Sequence, residues 1–199
     1  EPIQTVSRTL RFADQRLPHD RIIINWLAPS YHSYSDDQPD PYALALLADI
    51  LGGGSTSRLY QALVVAQKIA PSAGAWYSGL YYDAGEFGIA VTAAPGQVPE
   101  EVDQAARVQL ALIAEAGVTD EELRRAKLTS LVSQIYAKDN VGHLARMVGA
   151  SIGAGLSYDD IKNWPDKMRA VTADDVMHAA RWLQERPRVT GYALREDAK

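Results

Sequence analysis

The amino-acid sequence predicts an α+β fold in which an antiparallel or mixed β-sheet is covered on one face by helices. Three observations predict this class: strand-like runs both precede and follow a long helical block, their order lacks regular βαβ alternation, and an all-β pattern is also absent. Strands grouped apart from helices are typical of α+β domains, whereas regular alternation indicates a parallel sheet. No internal repeat or convincing linker divides the chain, so we expect residues 1–199 to form a single domain.

Two kinds of apolar pattern predict the strands. Residues 5–12 alternate, with Val6, Leu10 and Phe12 on one face, which predicts a half-buried strand. Arg21–Ala28 is a continuous, β-branched apolar run of the kind expected for a strand covered on both faces. Further strand-like runs occupy residues 72–80, 86–94 and 188–194. The turn residues between the first two of these runs predict an antiparallel hairpin.

The helical block begins with two apolar helices that meet at a triple glycine. Asp40 and Pro41 are typical of a helix N-terminus, and the almost wholly apolar stretch after them predicts a helix buried on most sides. Gly52 is expected to end this helix, because glycine adopts the left-handed conformation without a steric clash. Ser55 or Thr56 is expected to cap the helix that follows.

Start and stop signals predict the later helices. A hydroxyl residue followed three positions later by an acid predicts a capping box. Such pairs are Thr119 with Glu122, Ser157 with Asp160, and Thr172 with Asp175. Pro99 and Gly117 bound one helix, and residues 139–140 separate two others. Trp164 and Pro165 are expected to mark a break between the last helices, because proline lacks the N–H group that a helix interior needs.

Composition and charge argue against several classes of function. The net charge of −5 and the scattered basic residues argue against nucleic acid as the main partner, because phosphate binding needs a clustered basic surface. The chain has no cysteine, which excludes disulfides, thiolate metal sites and cysteine nucleophiles. No apolar run reaches the roughly 20 residues of a membrane span. The compartment stays open between bacterial cytoplasm and periplasm, and we slightly favour the periplasm.

The residues by themselves indicate no metal centre and no catalytic centre. Histidine occurs at His19, His32, His143 and His178, without the spacing of HExxH or HxxEH helices. His32 precedes an acidic stretch that is better explained as a solvated loop than as a metal site. The triple glycine lacks the neighbouring lysine and the preceding strand of a phosphate-binding loop. We therefore expect neither catalytic nor metal-binding residues in this chain.

Residues 46–63, LLADILGGGSTSRLYQAL, resemble the pitrilysin (insulinase-like) zinc metallopeptidases, a family that includes mitochondrial processing peptidase. The likeness continues through YDAGEF, VTDEELRRAKLTSLVSQIYAKDN and WPDKMRAVTADDVMHAARWL. Because HxxEH is missing, the resemblance implies the second, non-zinc domain of one half of such a peptidase. It implies zinc only in a preceding domain of the parent or in a partner, together with a homologous second half or subunit. The abrupt start at Glu1 agrees with a piece of a longer chain.

The sequence departs from the family at two positions that assist catalysis in some members. Those members carry an arginine and, seven positions later, a tyrosine, which are thought to stabilise the oxyanion. Val64 and Pro71 occupy these positions, and neither side chain can donate a hydrogen bond. The resemblance further implies that the glycine-rich corner lines the substrate chamber. Its candidate substrate-binding residues are Gly52, Gly53, Gly54 and Ser55.

These observations lead to one expected function and two alternatives. We expect a non-catalytic domain that helps to enclose and bind a peptide or protein substrate and to assemble the two halves of a zinc peptidase. One alternative is a wholly non-catalytic scaffold, similar to the core subunits of the respiratory cytochrome complex. The other is a stand-alone module that binds peptides at a sheet edge by β-augmentation. The residues leave open whether the parent chain carries HxxEH and is an active enzyme.

Overall fold

The computed structural model describes residues 5–138 and 141–196, and it describes the side-chain surroundings of these residues except 133–138, 141 and 143. Five strands form one mixed sheet in the spatial order β1-β5-β2-β4-β3. The strands are β1 (Arg8–Asp14), β2 (Arg21–Ala28), β3 (Ser72–Ser78), β4 (Gly85–Thr92) and β5 (Val189–Arg195). β1 pairs in parallel with β5, and the other neighbouring strands pair antiparallel. The predicted α+β class is confirmed.

Six α-helices and one π-helical segment accompany the sheet among the described residues. They are α1 (Pro41–Gly52), the π-helix (Tyr60–Ala66), α2 (Pro99–Ala116), α3 (Asp120–Lys138), α4 (Val141–Gly153), α5 (Tyr158–Ala170) and α6 (Ala173–Glu185). The capping boxes predicted for α3, α5 and α6 are present, each with reciprocal bonds. The boundary predicted at residues 139–140 lies outside the described residues. None of the described helices has both the length and the apolar character that crossing a membrane requires.

The core lies between one face of the sheet and the helices. Nine of the twelve residues of α1 are buried, which confirms that this helix is enclosed on most sides. In β2, Ile22, Ile24 and Trp26 are buried, while Ile23 and Leu27 between them are only half-buried. The prediction that β2 is covered on both faces is therefore wrong. Because alternate side chains of a strand point to opposite faces, the one-sided helix layer buries only every second residue.

The apolar stripe of the first strand points away from the helices, contrary to the prediction. Leu10 and Phe12 remain 63% and 60% exposed, and Val6 lies before the strand begins. Parallel pairing with β5 places Leu10 opposite Gly191 and Phe12 opposite Ala193. Neither small partner can cover a large neighbour. The strand was predicted correctly, but the prediction that it is half-buried is wrong, because no residue of β1 is buried.

The break predicted at Trp164 and Pro165 is also wrong, because α5 continues through both residues to Ala170. Pro165 removes one backbone hydrogen bond from the helix interior. Packing on both sides of the proline keeps the helix in place: Met168 is fully buried, and the Trp164 ring lies 6.0 Å from that of Tyr42. Tertiary contacts thus outweigh the local preference of proline.

The contrast between the two faces of the sheet can be tested with two alanine substitutions. Ile24→Ala removes buried methyl groups and should lower the free energy of unfolding by about 2–5 kcal/mol. Phe12→Ala removes a larger side chain from the exposed face and should change it by less than about 0.5 kcal/mol. Urea denaturation of the chain measures both values. A loss for Phe12→Ala as large as that for Ile24→Ala would show that the apolar stripe of β1 is buried.

Candidate functional site

Gly52, the last residue of α1, lies directly against the backbone of β3. A Cβ atom at this position would collide with the backbone nitrogen of Ala75 and would lie 2.5 Å from the carbonyl carbon of Gly74. Gly52 does not adopt the left-handed conformation, so the predicted reason for this glycine is wrong. The position needs glycine because there is no room for a side chain between α1 and β3.

The next two glycines serve other purposes. A Cβ at Gly53 would lie 2.7 Å from the carbonyl oxygen of Asp49, to which the Gly53 N–H donates a hydrogen bond of 2.8 Å. Gly54 has a φ of +128°, which side chains rarely tolerate, and no atom of the described residues lies within 4 Å of its Cβ position. Gly53 and Gly54 therefore form an exposed strip of bare backbone.

The helix after the glycines begins without the predicted cap. Helical backbone begins at Arg58, two residues before the π-helix, and Ser57 directly before it is 2% exposed. The Ser57 hydroxyl donates to the carbonyl oxygen of Gly54 at 2.6 Å, which closes the turn. Ser55 and Thr56 stay exposed, and no side chain caps the π-helix, so the prediction that one of them caps it is wrong. We call residues 52–55 the glycine corner; its exposed surface consists of small residues only.

A partly buried ion pair between Arg58 and Glu122 connects the segment just after the glycine corner to the start of α3. The Arg58 guanidinium donates to both carboxylate oxygens of Glu122 at 2.8 Å and to the carbonyl oxygen of Gly117 at 3.0 Å. Glu122 also accepts the Thr119 N–H of its capping box at 2.8 Å. Hydrogen bonds from Arg58 lower the pKa of Glu122 to about 2. Arg58 therefore acts as a structural clamp.

The two positions that depart from the family's catalytic pattern lie just beyond the corner. Val64 is half-buried in the π-helix, and Pro71 is exposed directly before β3. The Gln67 N–H donates to the carbonyl oxygen of Ala62 at 2.9 Å, five residues back, as in a π-helix. An aliphatic and a pyrrolidine side chain can hold no oxyanion.

The described residues do not fit a zinc ion. No group of three or more histidine, cysteine, aspartate or glutamate residues comes together in the described part of the chain. His19 lies in the turn between β1 and β2, and His178 is exposed on α6. His32 stacks on Tyr82 with ring centroids 4.6 Å apart and packs against Gly155. The side chain of His143 lies outside the described residues.

The mixed sheet with its helix layer and the glycine corner define a domain of the pitrilysin-like type. Residues 1–129 match the family described as the peptidase M16 inactive domain, and the chain belongs to this family. The resemblance inferred from residues 46–63 is thereby confirmed. The chain is an inactive-type domain of zinc-protease-like proteins.

The chain spans about a third of the length of the curated relatives that it matches. It is 34% identical over 143 residues to an uncharacterized zinc protease of Streptomyces coelicolor, a match that covers 70% of this chain and 30% of that protein. A protease from Helicobacter pylori superposes with a TM-score of 0.86 at 17% identity over 96% of this chain and 45% of that one. A chain of complex III2 from Candida albicans superposes with a TM-score of 0.78 at 16% identity, over 94% and 46% respectively. At such identities the structural likeness shows the fold alone.

One feature of the surface has no signal in the sequence. A cavity of about 750 Å³ lies where β3 ends, between residues 77–81 and the helices α4 and α5. Its walls come from segments far apart in the chain. In the sequence, their apolar residues are indistinguishable from ordinary core residues of helices and strands. Leu80 and Tyr81, which line the cavity just beyond β3, are large side chains that stay exposed.

The steric role of Gly52 predicts a large effect of one added methyl group. Gly52→Ala should lower the free energy of unfolding by about 3 kcal/mol or more, because the new Cβ overlaps the β3 backbone. Gly149→Ala is the matched control, since Gly149 is an exposed helical residue with no described atom near its Cβ position. The control should stabilise the chain by up to about 1 kcal/mol. Equal effects of the two substitutions in thermal or urea denaturation would contradict the packing of α1 on β3.

The lowered pKa of Glu122 predicts a pH dependence of stability. The pKa falls from an ordinary 4.5 to about 2 in the folded chain, so folding is favoured by the charged carboxylate above pH 4.5 and loses this contribution as the pH falls towards 2. Glu122→Gln should therefore destabilise the chain at pH 7, and the difference from wild type should narrow on acidification. Glu121→Gln, which alters the fully exposed neighbour, should change little. Parallel stability curves for Glu122→Gln and wild type at all pH values would contradict the clamp.

Proposed function

We propose that this chain is the zinc-free domain of a processing-peptidase-like zinc protease, where it helps to enclose a peptide substrate and has no catalytic centre of its own. The observation that carries the proposal is the match of residues 1–129 to the peptidase M16 inactive domain. In this proposal a preceding domain or a partner holds the zinc, and a homologous second half or subunit completes the chamber. The curated relative, of which the chain covers 30%, is long enough to contain such parts.

In the same proposal the peptide lies beside the glycine corner and along β3. Gly53 and Gly54 are exposed and lack side chains, so another backbone can approach them closely. β3 pairs only with β4 in the described sheet, which leaves backbone groups at its other edge for an added strand. Because Gly52 packs on Gly74 and Ala75, the corner lies directly beside this strand.

The chemistry at Val64 and Pro71 further restricts the role of the domain. Neither side chain has an N–H or O–H group that could donate to an oxyanion. In this proposal the hydrogen-bond donors for the oxyanion therefore come from the other half. The chain then belongs to the zinc-bearing subunit or half, and the homologous half carries the arginine and tyrosine. A parent polypeptide without HxxEH before Glu1 would contradict this assignment.

The proposed role of the glycine corner predicts the effect of a bulky substitution at its exposed end. Ser55→Trp should weaken the binding of short, extended, fluorescently labelled peptides by about 10-fold or more, because the indole fills the space that the peptide backbone occupies. Fluorescence anisotropy measures the binding, and circular dichroism confirms the fold. The purified chain should bind no stoichiometric zinc and should cleave none of the peptides.

Glu185→Trp is the matched control, because Glu185 is an exposed residue at the end of α6, outside the corner and β3. It should leave peptide binding unchanged. Failure of the wild-type chain to bind any extended peptide would contradict the proposed function. Chelator-sensitive proteolysis by the purified chain would contradict the non-catalytic assignment.

A scaffold role is the second candidate. It is supported by the structural likeness to a chain of complex III2, a likeness that concerns the fold alone. In a scaffold the glycine corner has only its packing role, so Ser55→Trp changes no peptide affinity while Gly52→Ala still destabilises the chain. The pair of substitutions therefore separates the two candidates.

A further inference from the structure

The cavity at the end of β3 has the size and lining of a binding site for an apolar group. Its volume of about 750 Å³ lies within the range of ligand sites in proteins. Residues 77–81 form one wall, and apolar side chains of α4 and of residues 156–161 form the other. Those side chains are Leu144, Met147, Val148, Leu156 and Ile161.

Two tyrosines in the wall are packed against the rest of the protein. The Tyr77 hydroxyl donates to the carbonyl oxygen of Pro29 at 2.6 Å, and the Tyr31 ring packs against the Tyr77 ring with centroids 5.7 Å apart. Burial raises the pKa of both tyrosines well above the usual range, so neither carries a charge. These groups leave the inner cavity with an uncharged, mostly aromatic and aliphatic surface.

The charged groups of the lining lie at its edge. Asp160 is partly exposed and accepts hydrogen bonds from the Ser157 hydroxyl at 2.7 Å and from Lys167 at 2.9 Å. Lys162 is exposed to solvent. The Asp160 carboxylate already pairs with Lys167, so the interior of the cavity offers no counterion to a charged ligand. Burying a charged group there is therefore unfavourable.

The position of the cavity connects it to the peptide surface of the glycine corner. Gly52 contacts β3 at Ala75, and the cavity wall begins at Tyr77, two residues further along the same strand. At about 3.3 Å per residue this separation is about 7 Å. A strand that pairs with β3 beside the corner thus brings one of its own side chains to the mouth of the cavity within a few residues.

We propose that the cavity is a specificity pocket that takes a bulky, uncharged side chain, aromatic or large aliphatic, from a peptide bound along β3. This inference rests on the proposed function, because it assigns a preference to the peptide that the domain binds. The rim supports it: Leu80, Tyr81 and Tyr158 are large side chains left exposed around the mouth, where they extend the apolar surface outward.

Three labelled peptides that differ at one central residue test the inference on the 199-residue chain. The peptides are extended, polar and otherwise identical, with phenylalanine, alanine or lysine at that position. The phenylalanine peptide should bind about 10- to 100-fold more tightly than the alanine peptide, because its ring is removed from water. The lysine peptide should bind no better than the alanine peptide.

Two tryptophan substitutions on α4 test whether the preference for the phenylalanine peptide arises in the cavity. Met147→Trp fills the cavity and should abolish the advantage of phenylalanine, whereas Ile152→Trp, at a residue 58% exposed on the same helix and outside the lining, should preserve it. If Met147→Trp fails to fold by circular dichroism, Leu144→Ala replaces it. That variant widens the cavity and should shift the preference towards a tryptophan peptide.

The outcomes distinguish the pocket from the proposed function. Equal affinity for the phenylalanine and alanine peptides, or a preference that survives Met147→Trp and is unchanged in Leu144→Ala, overturns the pocket and leaves peptide binding at β3 intact. Binding of none of the peptides overturns the proposed function and the pocket together. A preference that Met147→Trp abolishes and Ile152→Trp preserves supports both.

Discussion

The contact between the end of α1 and the backbone of β3 is the constraint on which the rest of the structure depends. Gly52 lets the helix approach so closely that no side chain fits between it and Ala75. The chain then turns through Gly53 and Gly54 and is fastened to α3 by Arg58 and Glu122. This arrangement sets the glycine corner beside β3, and both the proposed peptide surface and the cavity beyond it follow from that placement.

Polar contacts fasten the opposite edge of the sheet to the helices. Asp103 of α2 is buried and accepts hydrogen bonds from the Tyr192 hydroxyl and from Arg107, both at 3.0 Å. Burial and the nearby Asp103 carboxylate raise the pKa of Tyr192 to about 12. Arg11 of β1 lies over the Tyr192 ring at 4.8 Å and pairs with Glu100. The parallel edge strand is thus held by charge and ring contacts, although its apolar side chains face outward.

Much of the fold could be predicted because its signals are local. Alternating and continuous apolar runs predicted the five strands, and hydroxyl–acid pairs predicted the capping boxes at Ser157 and Thr172. The family could be recognised from residues 46–63, and the peptidase M16 match confirms it. The candidate site was predicted only as a stretch of residues: the corner at residues 52–55 was named, but its binding role stays a prediction. The cavity could not be predicted, because its walls meet only in the folded chain.

By itself, the sequence determined the class of fold and the family. It also determined that the side chains of Val64 and Pro71 carry no hydrogen-bond donor. Each of these properties depends on residue type and short-range spacing. Tertiary structure alone decided that the apolar side chains of β1 stay exposed and that α5 continues through Pro165. It also decided why Gly52 must be glycine. The physical reason is the same in each case: a distant segment supplies the small neighbour, the packing or the steric limit, and its position depends on the whole fold.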